Sequence, residues 1–448
     1  MFKKRQDIIQ LSDHFNYKRL LRFTFPSITM LIFTSLYGVV DGFFVSNYVG
    51  KTAFTAVNFI MPVLLVLSSA GLMFGTGGGA LIALTLGKGS KKQANAHFSM
   101  LVAVSAIFGI VLAILGLVFL RPVVAFLGAR GALLEDCVAY GKVILPAIPA
   151  AILQYEFQCL FATAGKPQLG LYITLAAGFT NAILDALFVA ILPWGLFGAA
   201  IATAVGQFVG GIIPILYFAR PNTSLLRLTK ARFDGRALLK ICTNGSSELM
   251  SNISSSLISM LYNVQLLRYA GEDGVAAYGV LMYVNFIFLA SYIGFSVGEA
   301  PVIGYHYGAG NFDELKSLLK KSLAVVSSFA VLMFASSLLL ARPLSLMFAG
   351  YDEGLLAMTL HAFSIYAFSF LFAGFAIFGS GFFTALNDGL TSALISSLRT
   401  LVFQVAAVLL LPLIWGLDGI WASMVVAEFL AVLVAAAFLA GKKKKYHY

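Results

Sequence analysis

The sequence predicts an all-α membrane protein with twelve transmembrane helices, arranged as two parallel six-helix repeats, an N-lobe and a C-lobe. Three observations predict it. The chain of 448 residues is 60% hydrophobic and only 11% charged, with a mean hydropathy of +0.91. A domain folded in water needs more charge on its surface, so lipid is the expected solvent. Apolar stretches of about 20 residues or more recur throughout, the length at which a helix crosses a hydrocarbon core of about 30 Å. The alternating ten-residue segments of a membrane β-barrel are missing. The third observation is internal repetition at a constant offset of 221 positions.

The repeat is carried by glycines and by short motifs. Gly50 matches Gly271, Gly77 matches Gly298, and Gly87-x-Gly89 matches Gly308-x-Gly310. Arg121-Pro122 matches Arg342-Pro343, and Phe161-x-Thr163-Ala164 matches Phe382-x-Thr384-Ala385. Trp194-Gly195-Leu196-x-Gly198 matches Trp415-Gly416-Leu417-x-Gly419. An unbroken offset means two halves with equally spaced helices. In membranes such duplication places a central site between two lobes that rock against each other, which points to transport.

Taken in order, the spans of the first half are expected near 22–46, 53–85, 97–120, 136–163, 168–191 and 196–218. Those of the second are expected near 238–268, 275–306, 318–341, 355–384, 389–413 and 418–440. The lobes are thus 1–218 and 238–448, joined by a basic, polar linker at 219–237, with a basic tail at the C-terminus. With the N-terminus inside, 23 basic residues fall on the inner side and six on the outer, and Arg399 lies within a span. By the positive-inside rule both termini are expected in the cytoplasm, in a multi-pass protein of the plasma (inner) membrane. The net charge of +11 is then mainly a topology signal plus contact with anionic lipid headgroups, and nucleic acid is not an expected partner. An even number of spans per half makes the repeats parallel rather than inverted.

The N-terminus has the basic flank of a signal peptide, but a long apolar run without a small-x-small cleavage site reads as an uncleaved first span. The cysteines (Cys137, Cys159, Cys242) form no disulfide framework, and the five histidines have no metal-ligand spacing. Two glycine clusters, Gly75-Thr76-Gly77-Gly78-Gly79 and Gly87-Lys88-Gly89-Ser90, look suited to phosphate but lack the P-loop spacing. The first is expected to permit close helix packing. No ATPase motif and no catalytic constellation is present, so the chain reads as neither an enzyme nor an ATP-driven pump. No cofactor is expected beyond a coupling ion.

Ionisable groups at membrane depth are costly and usually functional. Six carboxylates fall within the spans: Asp41, Glu156, Asp185, Glu248, Glu299 and Glu428. Counting at 1.5 Å per residue from the outer ends of their helices, Asp41, Asp185 and Thr203 all lie roughly 12–14 Å deep. Asn181 and Asp185, at i and i+4, share one face of the fifth span. Two carboxylates, an amide and a hydroxyl at one level suit a proton or a small cation such as Na⁺, for which they would be the ligands. Burial and a neighbouring carboxylate both favour holding a proton. Pro26 removes a backbone hydrogen bond early in the first span and is a candidate bending point; its repeat partner is Ser247.

In the second half Glu248, Glu299 and Glu428 form a further acidic set, and Glu156 is a secondary acid of the first. Only Arg399 opposes them within the spans, which favours cationic substrates, and the sequence does not fix its partner. Tyr155, Phe157 and Phe161, and Tyr283, Phe286 and Tyr292, flank these acids and would suit lipophilic cations through their ring faces. The expected partners are therefore small organic cations and membrane lipids, with a monomer sufficient.

These residues resemble the multidrug and toxic compound extrusion (MATE) family over essentially the whole chain. The resemblance rests on Leu36-Tyr37-Gly38-Val39-Val40-Asp41-Gly42-Phe43-Phe44-Val45 and Asn181-Ala182-Ile183-Leu184-Asp185-Ala186-Leu187-Phe188. It rests equally on Gly198-Ala199-Ala200-Ile201-Ala202-Thr203 and Ala300-Pro301-Val302-Ile303-Gly304-Tyr305-His306-Tyr307-Gly308-Ala309. It implies alternating access and export of organic cations against H⁺ or Na⁺. It also implies an N-lobe cation site on Asp41, Asn181, Asp185 and Thr203, with Pro26 as the bending point. Glu248 is similar in position to the seventh-helix acid of some members. The tenth-helix acid of others has no counterpart in 355–384, which argues against a C-lobe sodium site and toward the N-lobe; proton coupling is preferred there, although the same carboxylates can bind Na⁺. The alternative is a lipid-linked oligosaccharide flippase of the same wider superfamily, but that needs cationic residues for a pyrophosphate, and only Arg399 is available.

Overall fold

The protein chain is seen in a computed structural model that describes residues 9–350 and 352–448. Lys3, Lys4 and Arg5, counted on the inner side, lie outside the described residues. Every long element is helical. The first half contains α1 (Tyr17–Val49), α2 (Thr52–Gly87), α3 (Lys91–Phe126), α4 (Gly131–Thr163), α5 (Pro167–Ile191) and α6 (Gly195–Ala219). A 74-residue helical stretch, Gly235–Gly308, follows; its backbone breaks at Gly271 (φ 64°, ψ −152°), giving α7 (235–270) and α8 (272–308). The second half ends with α9 (Phe312–Ala349), α10 (Glu353–Ala385), α11 (Gly389–Trp415) and α12 (Leu417–Tyr446). The twelve spans are present in the expected order among the described residues. Several start earlier than hydropathy indicates, α9 at Phe312 for example, because polar first turns are helical without being apolar.

The helices start where the sequence supplies caps. Asn16, Asp234, Asn311, Asp352 and Asp388 each accept a backbone N–H from the first turn of the helix that follows. The repeat glycines do two jobs. At the turns, Gly50 and Gly271, and Gly195 and Gly416, adopt positive φ in both halves, which side chains disfavour. Elsewhere they let backbones touch. A Cβ at Gly87 would lie 3.0 Å from the Tyr305 carbonyl carbon, and one at Gly308 would lie 3.0 Å from that of Leu84. Leu84 and Tyr305 are themselves 221 apart, so α2 and α8 cross on the pseudo-twofold axis. Gly77, in the first glycine cluster, meets Ile241 of α7, and Gly298 meets Thr24 and Ser27 of α1. Helix packing, not phosphate binding, accounts for that cluster.

These inter-lobe approaches lie in the half of the molecule where α1 begins and α12 ends, here called the terminal face. Asn387, at φ 60°, adds a hydrogen bond across the lobes to the Ala80 carbonyl (3.1 Å) and accepts one from Asn244 (2.7 Å). Two apolar cores result, one per half, and each takes in the start of a helix from the other half. Leu11, Phe15, Leu20 and Phe23 pack into the C-lobe core, and Ala237 and Ile241 into that of the N-lobe. The α1 entry is latched by Glu314, which accepts from the Phe15 backbone N–H (2.9 Å) and pairs with His14 (2.6 Å). Lys321 donates to the Phe15 carbonyl. The α7 entry is held by Asp234, whose N–H meets the Met100 sulfur of α3 (3.1 Å).

The linker residues 220–234 are docked rather than loose. Thr229 N–H donates to Ser99 (2.8 Å), Arg227 N–H to Asn95 (3.1 Å), and Leu226 is fully enclosed.

Candidate functional site

Three helices of the first half converge on the acids singled out by depth. Asp41 comes from α1, Asn181 and Asp185 from α5, and Thr203 from α6. The Thr203 hydroxyl donates to Asp41 Oδ1 (3.2 Å), and Asn181 Nδ2 donates to the Thr203 hydroxyl (3.4 Å). Asp41 also lies within hydrogen-bonding reach of the Asp185 carboxyl group. All three are enclosed: Asp41 is 4% exposed, Asn181 3% and Asp185 0%. The donors run toward Asp41, whereas neither Asp185 oxygen has a donor. A proton or small cation placed between the two carboxylates completes both.

Local structure explains the presentation. Asp185 ends the regular part of α5, and a π-helical turn, Ala186–Ile191, follows at once. A second, Val45–Val49, follows Asp41 within a turn. The wider turn leaves carbonyls imperfectly paired and re-aims side chains, a device common at functional sites. Beside the pocket a small cavity, with about 10 Å³ of room for the centre of a water molecule, is walled by Tyr37, Gln154, Asn181, Thr203 and Gln207. That suffices for about one water.

Sequence reading missed Tyr140 of α4, which is 1% exposed, with its hydroxyl in reach of Thr203 and near both aspartates. The signal was available: Tyr140 lies nine residues from the start of α4, roughly 13 Å deep, at the level of Asp41. Gln207, Gln154 and Tyr37 were likewise not singled out as pocket residues.

The glutamates are not brought together in the same way. Glu156 of α4 is fully enclosed, neither carboxyl oxygen has a hydrogen-bond partner, and Ser105 is its polar neighbour. Glu299 of α8 is also enclosed and accepts from Ser322 of α9. Glu428 of α12 is held by Arg399, whose Nε donates to both carboxylate oxygens (3.0 and 2.8 Å). Glu248 of α7 is half-buried and within electrostatic range of the same guanidinium.

The aromatic reading needs correction. Phe157 and Phe161 form a closed cluster with Phe98 and Phe218, and Tyr292 is buried with its hydroxyl on the Phe370 carbonyl (2.9 Å). These three rings are core, because the helix faces carrying them turn inward. Pro26 is buried in α1, which stays helical through it.

The MatE family model matches residues 26–187 and again residues 249–410, one copy in each half. The chain belongs to the MatE family. This MATE chain is 24% identical to the multidrug export protein MepA of Staphylococcus haemolyticus, over 96% of this chain and 95% of that protein. It is 23% identical to MepA of Staphylococcus aureus, over 94% and 92%. Among solved structures it is similar to the outward-facing conformation of a multidrug resistance MATE transporter of the MOP superfamily. That match has a TM-score of 0.92 and 21% identity, and covers 99% of this chain and 100% of that one. The fold is therefore the MATE fold, in an integral multi-pass membrane protein of a transporter family rather than an enzyme.

Proposed function

We propose that this MATE protein is a cation-coupled secondary multidrug antiporter. It exports organic, mostly lipophilic cations in exchange for H⁺ or Na⁺ by alternating access. The observation that carries the reading is the Asp41–Asp185 pair, buried, contributed by two helices, with Thr203 and Asn181 turned to it and Asp185 lacking a donor. Relatives named as multidrug export proteins support the substrate class by similarity.

Each residue has a task. Asp41 is held as an acceptor by Thr203, Asn181 orients that hydroxyl, and Asp185 receives the exchanging cation. Pro26 leaves a carbonyl unpaired at the base of α1, so that filling the pocket is felt as a bend. With the termini cytoplasmic in the plasma membrane, lobes joined at the terminal face open toward the outside. Glu248 is the acid best placed to meet a substrate cation, being the half-buried one; Glu156 and Glu299 are enclosed, secondary acids.

The test is reconstitution in liposomes, following ethidium, a fluorescent lipophilic cation, under separately imposed proton and sodium gradients. Movement with either gradient, abolished in a folded Asp41→Asn variant, supports the reading and names the ion. Retained transport in that variant sinks the assigned site. Movement with neither gradient favours the lipid-linked oligosaccharide flippase.

A further inference from the structure

The two lobes share an architecture, so whatever stands in the C-lobe where the N-lobe keeps its pocket is informative. The pocket is built from the first, fifth and sixth helices of its half. Their counterparts in the second half are α7, α11 and α12. At the offset of 221, Asp41 becomes Tyr262, Asp185 becomes Ala406, and Gln207 of the cavity wall becomes Glu428. One carboxylate thus remains, moved from the first and fifth helices to the sixth.

Facing it is Arg399 on α11, whose repeat position, 178, lies one turn before Asn181 on α5 of the N-lobe. Arg399 sits within a π-helical turn, Leu398–Phe403, as Asp185 borders one on α5. Its Nε donates to both Glu428 oxygens; the arginine side chain is 11% exposed and the glutamate 0%. The guanidinium is also within electrostatic range of Glu248 and of the Tyr366 hydroxyl, and Tyr262 lies near Glu428.

We propose that the C-lobe counterpart of the N-lobe pocket is a monovalent-cation site permanently filled by the chain's own Arg399 guanidinium. This rests on the antiport reading only where it concerns coupling; the occupancy stands on the geometry. A guanidinium stays protonated at every physiological pH, and one on a side chain cannot leave. The site therefore contributes charge balance but no exchange, and cation exchange runs through the N-lobe alone. Removal of the arginine side chain exposes a carboxylate at the base of a hole shaped for a small planar cation.

The experiment uses full-length Arg399→Ala, purified in detergent and titrated with guanidinium or methylguanidinium chloride, with choline chloride holding ionic strength constant. The variant melts below the wild type, and guanidinium raises its midpoint saturably by a few degrees at low millimolar concentration. The wild type does not respond, and neither does Arg399→Ala with Glu428→Gln. Equal responses in all three, or none in Arg399→Ala, overturn the occupancy without bearing on antiport.

A second variant serves if Arg399→Ala does not fold. Arg399→Met with Glu428→Gln removes both charges together, a change buried pairs often tolerate. The readout is the number of coupling cations per ethidium, from the reversal potential in liposomes. An unchanged ratio supports the proposal. A ratio lowered by one shows the pair to be a second coupling site and refutes it.

Discussion

Alanine at Gly87 or Gly308 tests whether the α2–α8 crossing holds the lobes together at the terminal face. A Cβ at either position would stand 3.0 Å from a facing carbonyl carbon, against about 3.5–4.0 Å for relaxed carbon contact. The carbonyl oxygen stands nearer still than its carbon, so the backbones must separate by roughly 1 Å, and overpacking of this kind costs about 1–3 kcal/mol. Because that cost falls only on the joined arrangement, one substitution lowers its population relative to the separated one by about 5- to 150-fold.

The assay is a spin-label distance between Gln93 and Lys316, exposed residues on the first turns of α3 and α9 at the terminal face. Wild type gives mainly the short distance. Gly87→Ala moves weight to a longer one, and Gly87→Ala with Gly308→Ala moves more. The packing within each lobe is untouched, so the midpoint of unfolding falls little. An unchanged distance distribution in the double variant would refute the reasoning.

Three further outcomes are expected. Asp185→Asn leaves a folded protein whose ethidium efflux no longer responds to an imposed proton or sodium gradient; a gradient response within about twofold of wild type contradicts it. Asn387→Ala loses both the bond to Ala80 and the tolerance of positive φ, whereas Asn387→Gly restores only the latter. The alanine variant should thus be the less stable of the two, by about 1 kcal/mol in denaturant or thermal unfolding. Asp388 lies in the loop before α11, where burial pushes its carboxyl up. Hydrogen bonds from Lys442 (2.6 Å), Tyr446 (2.8 Å) and Thr391 outweigh this and leave it below the usual carboxylate range. Its contribution to holding the C-terminal tail is therefore present above pH about 4 and is lost as pH falls through the lower folded value. Amide exchange at 442–446 should be faster in Asp388→Asn at neutral pH and converge with wild type in acid.

The topology was legible because hydropathy and the repeat report on the same helices. The depth of Asp41, Asp185 and Thr203 could be counted from helix ends, since a straight helix advances by a fixed rise per residue. The azimuth of a side chain is harder to count. Phe157, Phe161 and Tyr292 share depths with intramembrane acids yet face into the lobes, and Tyr140 was overlooked at the right depth. The partner of Arg399 depends on how α11 and α12 rotate against each other, which no local pattern encodes. The single-residue break at Gly271 reads in sequence as a short loop, because a polar Glu272-Asp273 pair follows it.

The exchanged ends of α1 and α7 have a mechanical consequence. With Phe15 anchored to one lobe and Asp234 to the other, neither helix can travel as a rigid rod when the lobes part. The docked linker has no slack to absorb the displacement, and the latch at Glu314 allows none at the other end. The strain must be taken up along the shafts themselves. Under the proposed function that yielding length would begin at Pro26 in α1, and in α7 only beyond Gly245, which packs against the Met73 backbone and lies two positions from that proline's repeat partner. On the alternating-access proposal, the protein would act as a pair of bodies joined by two leaf springs, and the stiffness of those springs would set how far the lobes can open.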